Sequence, residues 1–353
     1  MKIAIMGGWN IASGASLHSE LLGRELAKKH DLSVMSFYKH SFHGFSMVGE
    51  DEDYVIRCFT KHGDKNPKFN SEPFINEDYD FFIVEDLGML PLDFLANVFP
   101  IIKKKAKTIN VIHDGKPSSH QSFYKFDWDA IVCFDERYKN FLKTKYPEDK
   151  IWIIPYPSLP LNTGDKEKSR KQLNLPNNKK IIFLFGILPL YLTNELTIIN
   201  KLASKYNILL LVASNDNDSI EKIKIVPGNK YEIEIRKKNL NLDELYQYLH
   251  ASDVLLYPKP TYPRVVVSST IFQCMGSLCP IIANDSNFVS MFSDEIFKYK
   301  NNEELDLFLT DVFEQGQKYK NLTSAVKTYL QKYSSVNVAK KFEELFSELG
   351  IVK

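Results

Sequence analysis

The sequence predicts an α/β protein built from two doubly wound parallel-sheet domains that face a cleft. Three observations carry this. Two series of short apolar runs alternate with helix-periodic stretches; a Pro- and Asn-rich break separates the series; and 353 residues are enough for about two domains, each with its own core.

The first series opens with Lys2–Met6, an apolar run of the buried parallel-strand kind, followed by a loop holding Gly7, Gly8, Ser13 and Gly14. Leu17, Leu21, Leu22 and Leu26 then share one helical face, and Leu32–Phe37 reads as the next strand, completing a βαβ unit. Further strands are expected at Phe81–Val84, Thr108–Ile112, Ala130–Phe134 and Ile151–Ile154. Between Pro155 and Lys180 the chain becomes rich in Pro, charge and Asn, which marks an interdomain linker running into a surface helix. The second series has strands at Ile181–Phe185, Ile208–Ala213, Tyr231–Ile235, Val254–Tyr257 and Pro280–Ala283. Leu242, Leu245, Tyr246 and Leu249 form one of the helical faces between them. The last helix is capped at Ser334 or Ser335, carries a stripe of Val338, Ala339, Phe342, Leu345, Phe346 and Leu349, and stops at Gly350. In such folds ligands sit beyond the carboxyl ends of the strands.

Composition excludes several classes. Lys+Arg number 45 against 44 Asp+Glu, a net charge of +1, which makes no electrostatic case for nucleic-acid binding. The longest apolar stretch, Ile181–Leu192, is 12 residues and falls short of the ~20 needed to cross a bilayer. Only four apolar residues follow Lys2 before Gly7, too few for a secretory signal, so a cytoplasmic location is expected. Cys58, Cys133, Cys274 and Cys279 lack a matching His/Cys pair for zinc and read as buried thiols. Asp78-Tyr-Asp80, Asp127-Trp-Asp129 and Asp216-Asn-Asp218 match a D-x-D metal pattern. Three matches in one chain show how little that pattern discriminates, and no metal or cofactor is expected.

The order of these pieces resembles the retaining GT-B glycosyltransferases that use nucleotide-sugar donors, over nearly the whole chain. The likeness rests on Gly7-Gly8 with an early helical His18, on Val111-Ile-His113-Asp114, on Asp129–Glu136 and on Ile151–Pro155. It continues through Ile182–Gly186, Leu242–Pro258, Met275–Ala283 and the terminal Tyr333–Leu349. It implies an N-terminal Rossmann-like acceptor domain over 1–157, a Rossmann-like donor domain over 158–332, and a helix over 333–353 that crosses back to the first. The implied activity is hexosyltransferase-type transfer, with retention and without metal, from a nucleotide sugar to a glycan, glycolipid or other hydroxyl acceptor. The donor-site motifs diverge. Where the family has two glutamates eight positions apart, this chain has Val265 and Gln273, and the Arg and Lys expected after Gly186 are replaced by Ile187–Thr193. A catalytically inactive GT-B-fold binding or scaffolding protein is the alternative that these departures support.

The candidate residues follow from chemistry and resemblance together. His113 ends a β-branched strand, where a neutral imidazole can orient a hydroxyl of the reacting sugar while positive charge develops at the anomeric carbon. Lys259, Arg264, Ser268 and Ser269 surround a helix start and supply cations and hydroxyls for a diphosphate, with Gln273 on the ribose. On the acceptor side stand Gly7, Gly8, His18 and Glu85. The glycines either bring backbone N–H groups to a ligand or satisfy a positive φ, and a carboxylate at a strand end can accept from hydroxyls. The apolar Ile187–Leu192 loop packs on the cleft wall or meets a lipid-linked acceptor, the second case entailing peripheral contact with the inner face of the membrane.

Overall fold

A computed structural model describes residues 1–41, 49–186, 192–224 and 228–351. These form two compact units: Met1–Pro157 with Arg264–Ser269 and Tyr333–Lys353, and Ser158–Pro263 with Thr270–Lys332.

In the first unit the elements run β1 (Lys2–Met6), α1 (Gly14–Leu26), β2 (Asp31–Phe37), β3 (Val55–Phe59), α2 (Glu72–Ile75) and β4 (Phe81–Glu85). They continue as α3 (Leu92–Lys105), β5 (Lys107–Val111), β6 (Ala130–Cys133), α4 (Glu136–Leu142) and β7 (Ile151–Ile153). The sheet order is β3-β2-β1-β4-β5-β6-β7, with every neighbouring pair parallel. The second unit comprises α5 (Lys166–Gln172), β8 (Lys180–Phe185), α6 (Thr193–Leu202), β9 (Ile208–Ala213), α7 (Asn217–Lys224) and β10 (Glu232–Arg236). Then come α8 (Leu242–Ala251), β11 (Val254–Tyr257), α9 (Ser269–Met275), β12 (Ile281–Asn284), β13 (Phe297–Tyr299), α10 (Asn302–Glu314) and α11 (Gln317–Tyr333). Its sheet, β10-β9-β8-β11-β12-β13, is also entirely parallel. The predicted class, two Rossmann-like doubly wound domains, is the observed one.

The central strands are buried along nearly their whole length because helices cover both sheet faces. Ile3, Ala4, Ile5 and Met6 of β1 and Phe81–Val84 of β4 are wholly buried. Two strands absent from the sequence reading, β3 and β13, are edge strands. Val55-Ile-Arg-Cys-Phe59 is half-exposed at its start and carries Arg57, and Phe297–Tyr299 is only 3 residues long, so neither shows the continuous apolar run that marks a central strand. The linker runs into α5. It is a surface helix, with Lys166, Glu167, Lys168, Lys171 and Gln172 exposed, but α5, capped by Asp165, is also anchored: Arg170 is buried and donates to the Ala251 carbonyl and to Asp253, both at 2.8 Å, which pins the helix to the α8–β11 junction.

The chain returns to the first unit as α12 (Ser335–Leu349). Val338, Phe342, Leu345 and Phe346 are buried, Phe346 stacks on Phe81 with centroids 4.3 Å apart, and Glu343 meets His30 and Lys29 at 3.0 Å. Ser334 occupies the N-cap without donating or accepting a capping bond, and Gly350 ends the helix at φ 64°. All four cysteines are buried and unbridged, as expected from their spacing. No described helix is long and apolar enough to cross a membrane. Of the Ile187–Leu192 loop only Leu192, which is buried, falls within the described residues.

Candidate functional site

In the first sheet the chain reverses its direction of winding between β1 and β4, so the segments after Met6 and at Glu85 lie at the topological switch point where α/β sheets bind ligands. A Cβ on Gly7 would lie 2.7 Å from Glu85 Cβ, and one on Gly8 would lie 3.1 Å from Ser16 Cβ. Neither glycine has a positive φ; that conformation falls on Asn10, at 53°. The glycines are therefore there for close approach of strand to strand and loop to helix.

The loop does not present a row of open N–H groups. Gly7 N donates to Met35 O, Asn10 N to Glu20 Oε1 at 2.9 Å, Ile11 N to Ser16 Oγ and Ser13 N to Ile11 O. Arg57 braces it from below by donating to the carbonyls of Trp9 and Phe37 and to Asp51, and Arg24 donates to Asn10 Oδ1 at 2.8 Å. The backbone-cradle reading is corrected at Gly7, whose N–H is one of four in the loop that are spent on holding it.

Beside the loop, α1 and the carboxyl ends of β4 and β5 bring three titratable side chains together. Glu85 Oε1 lies 2.9 Å from His18 Nδ1, and Glu85 Oε2 lies 2.7 Å from His113 Nε2. His18 and Glu85 are wholly out of solvent, and 11% of the His113 side chain is exposed. Burial pushes the Glu85 carboxyl up to about 7, countered by its bond to His113, and pushes His18 down to about 3; His113 is also lowered by burial, opposed by Glu85. The sequence reading sets His18 and Glu85 against an acceptor. The structure instead buries both, with each carboxylate oxygen already facing an imidazole, so neither offers a surface to a substrate hydroxyl. The ligand-capable atoms of these three residues lie within 4.8 Å of one another, a spacing that could also gather around a metal ion and that the hydrogen bonds account for without one.

His113 also borders a small cavity of about 20 Å³, shared with Asp86, Asp114, Lys116, Tyr124 and Tyr146, which has room for about one water. Gly88 lies under the two carboxylates: a Cβ there would be 3.2 Å from Asp114 Oδ2 and 3.4 Å from Asp86 Oδ1. Burial, then the neighbouring Asp114, raises Asp86 to about 7; Asp114 is raised by burial and held back by Arg264 and Lys116. The sequence places Asp86 beside Glu85 and Asp114 beside His113 but does not bring the two acids together. The signals were the Asp next to His113 and Gly88 two residues after Asp86.

The donor-side candidates divide between the units. Arg264, Ser268 and Ser269 belong to the first unit and Lys259 and Gln273 to the second. Val265 N donates to Gly115 O at 3.1 Å, and a Cβ on Gly115 would lie on the Val265 carbonyl, so glycine is required where this segment crosses the end of the His113 loop. Arg264 is exposed above that crossing and Ser268 is buried. Lys259 is half-buried, which lowers its pKa, and the Gln273 carbonyl accepts from the Tyr246 hydroxyl at 3.1 Å. Of the D-x-D acids, Asp129 is held by Lys103 at 2.8 Å and by Thr108 N, and Asp127 by Lys150 at 2.9 Å.

No family model matches the sequence. Among solved structures, the chain is similar to HepE of Anabaena in complex with UDP-glucose, at 15% identity and a TM-score of 0.67, covering 99% of this chain and 100% of that one. It is similar to a glycosyltransferase of Rickettsia africae at 16% identity and a TM-score of 0.65, over 99% and 98% of the two chains. Sucrose-phosphate synthase of Thermosynechococcus elongatus matches at 13% identity and a TM-score of 0.64, over 99% of each. At these identities the likeness is one of fold, and the fold of this chain, from β1 to α12, is the Rossmann-like GT-B fold shared with these structures.

Proposed function

We propose that this protein is a glycosyltransferase that moves a sugar from a nucleotide-sugar donor, a UDP-sugar being the first to try, to a hydroxyl acceptor. The observation that carries the reading is end-to-end similarity of fold to a structure named as a glycosyltransferase and to another that holds UDP-glucose, in a chain whose switch point bears a part-exposed imidazole. In this reading residues 1–157 take the acceptor and residues 158–332 the nucleotide, with retention and without a metal. His113 orients a hydroxyl of the reacting sugar near the charge that develops at the anomeric carbon. Arg264 and Lys259 offset the departing diphosphate, Ser268 and Ser269 donate to it, and Gln273 contacts the ribose. A glycan, glycolipid or small hydroxyl compound is the acceptor class.

The test is a panel of nucleotide sugars assayed for hydrolysis and transfer, with calorimetry of the free nucleoside diphosphates alongside. Turnover of one donor with micromolar to millimolar binding of its diphosphate is expected. Binding without turnover across a broad acceptor set would instead identify an inactive binding protein, the outcome compatible with Val265 and Gln273 in place of acids.

A further inference from the structure

The three-residue chain His18–Glu85–His113 has an internal asymmetry that bears on how His113 works. Glu85 is sequestered, and its two oxygens face one nitrogen of each ring, at 2.9 Å and 2.7 Å. Above pH ~7 Glu85 is ionised and its carboxylate only accepts, so both rings then donate to it. His18 would then carry its proton on Nδ1. That leaves Nε2, which is buried with no hydrogen-bond partner, as a lone pair among Phe134, Tyr156 and Phe342, whose ring centroids lie 5.3, 5.2 and 6.3 Å away. His113 would carry its proton on Nε2. Its Nδ1 has no hydrogen bond to any described residue, on a ring that borders the cavity with Asp86 and Asp114.

We propose that Glu85 is a positioning residue that locks His113 as the Nε2–H tautomer, with Nδ1 presented as a hydrogen-bond acceptor, and that His18 is the buttress that holds the second carboxylate oxygen. The ligand group recognised at Nδ1 is then a donor, a sugar or acceptor hydroxyl; an anionic phosphate oxygen, which can only accept, is disfavoured there. The kinetic part of this rests on the glycosyltransferase reading; the tautomer itself does not.

Long-range ¹H–¹⁵N NMR on the wild-type protein labelled at histidine measures the tautomer directly, with His113→Gln and His18→Gln used for assignment. His113 is expected as neutral Nε2–H and His18 as neutral Nδ1–H at pH 7.5. His113 found as Nδ1–H, or as an imidazolium, would overturn the proposal whatever the activity. Glu85→Gln then tests the coupling. Its amide offers one acceptor oxygen and one donor NH2, so one ring must turn from donor to acceptor, and the His113 nitrogen shifts should move toward a tautomer mixture. With a donor substrate in hand, kcat should fall on the order of 10–100-fold with KM changed less than about twofold, the usual cost of a lost outer partner. Wild-type nitrogen shifts and kcat in Glu85→Gln would refute the role. A misfolded Glu85→Gln leaves the wild-type tautomer measurement to decide.

Discussion

Gly7→Ala is the sharpest probe of the switch point, because the glycine is required there for contact and not for conformation. The added methyl would sit 2.7 Å from Glu85 Cβ and 3.2 Å from Glu85 O, against an ordinary carbon–carbon contact of ~3.5–4.0 Å. The obstacle is the root of a buried side chain in the neighbouring central strand, so it cannot swing aside, and β1 and β4 must part by several tenths of an ångström. Overpacking of this kind costs ~1–3 kcal/mol. The stiffer unfolded chain of the alanine variant returns ~0.4–1 kcal/mol, since φ at Gly7 is not positive and alanine can adopt it. The two ranges together span ~0–2.6 kcal/mol of net loss, and a contact as short as 2.7 Å against a fixed atom puts the expected value in the middle, about 1–2 kcal/mol. Trp9, Trp128 and Trp152 all lie in the first unit, so tryptophan fluorescence in a urea titration follows the unit that carries the substitution. Gly8→Ala, at 3.1 Å from Ser16 Cβ, should lose less. A midpoint for Gly7→Ala equal to or above wild type would refute the close-approach argument. Because the clash falls on Glu85, the substitution should also disturb the His113 nitrogen shifts, whereas Gly8→Ala should leave them alone.

His113→Ala should lower turnover by ~10²–10⁴-fold while leaving nucleoside diphosphate affinity nearly unchanged; equal losses in calorimetry and rate would make the residue structural. Arg264→Ala should weaken diphosphate binding by ~1.5–3 kcal/mol and hardly affect the bare nucleoside, with Arg264→Lys recovering only part, since the planar guanidinium fork is lost. An unchanged diphosphate isotherm would remove Arg264 from the donor site. Asp51, paired with Arg57 through a 2.5 Å bond, is held at about 2 against 3.8 for the free side chain. Between those values the unfolded state binds more protons, so the pair's contribution is complete above pH ~4 and is lost as pH falls toward ~2, about 2 kcal/mol in all. Asp51→Asn should lower stability at neutral pH and flatten the acid limb of a urea-midpoint profile; a profile parallel to wild type would show that the pair does not stabilise the fold.

The legible part of this protein was its architecture. Continuous apolar runs alternating with helical stripes come from burial on both faces of a parallel sheet, and that periodicity is local, so the two sheets could be read from the order of residues. The stripe of α12 was visible for the same reason, and His113 stood out as a polar residue at the end of a β-branched strand. The edge strands β3 and β13 were not legible, since half-exposed or three-residue strands carry no such signal. Nor was the state of Glu85. At its strand end it reads as a carboxylate open to acceptor hydroxyls, yet α1 lays His18, 67 positions earlier, against one of its oxygens, and the end of β5 lays His113, 28 positions later, against the other. Likewise, nothing local in Asp114-Gly115 or in Arg264-Val265 says that one crosses the other at backbone contact. Sequence order determines which residues each strand end offers; which of them meet, and which are shut away from water, is decided by strand order and by helix packing over long separations.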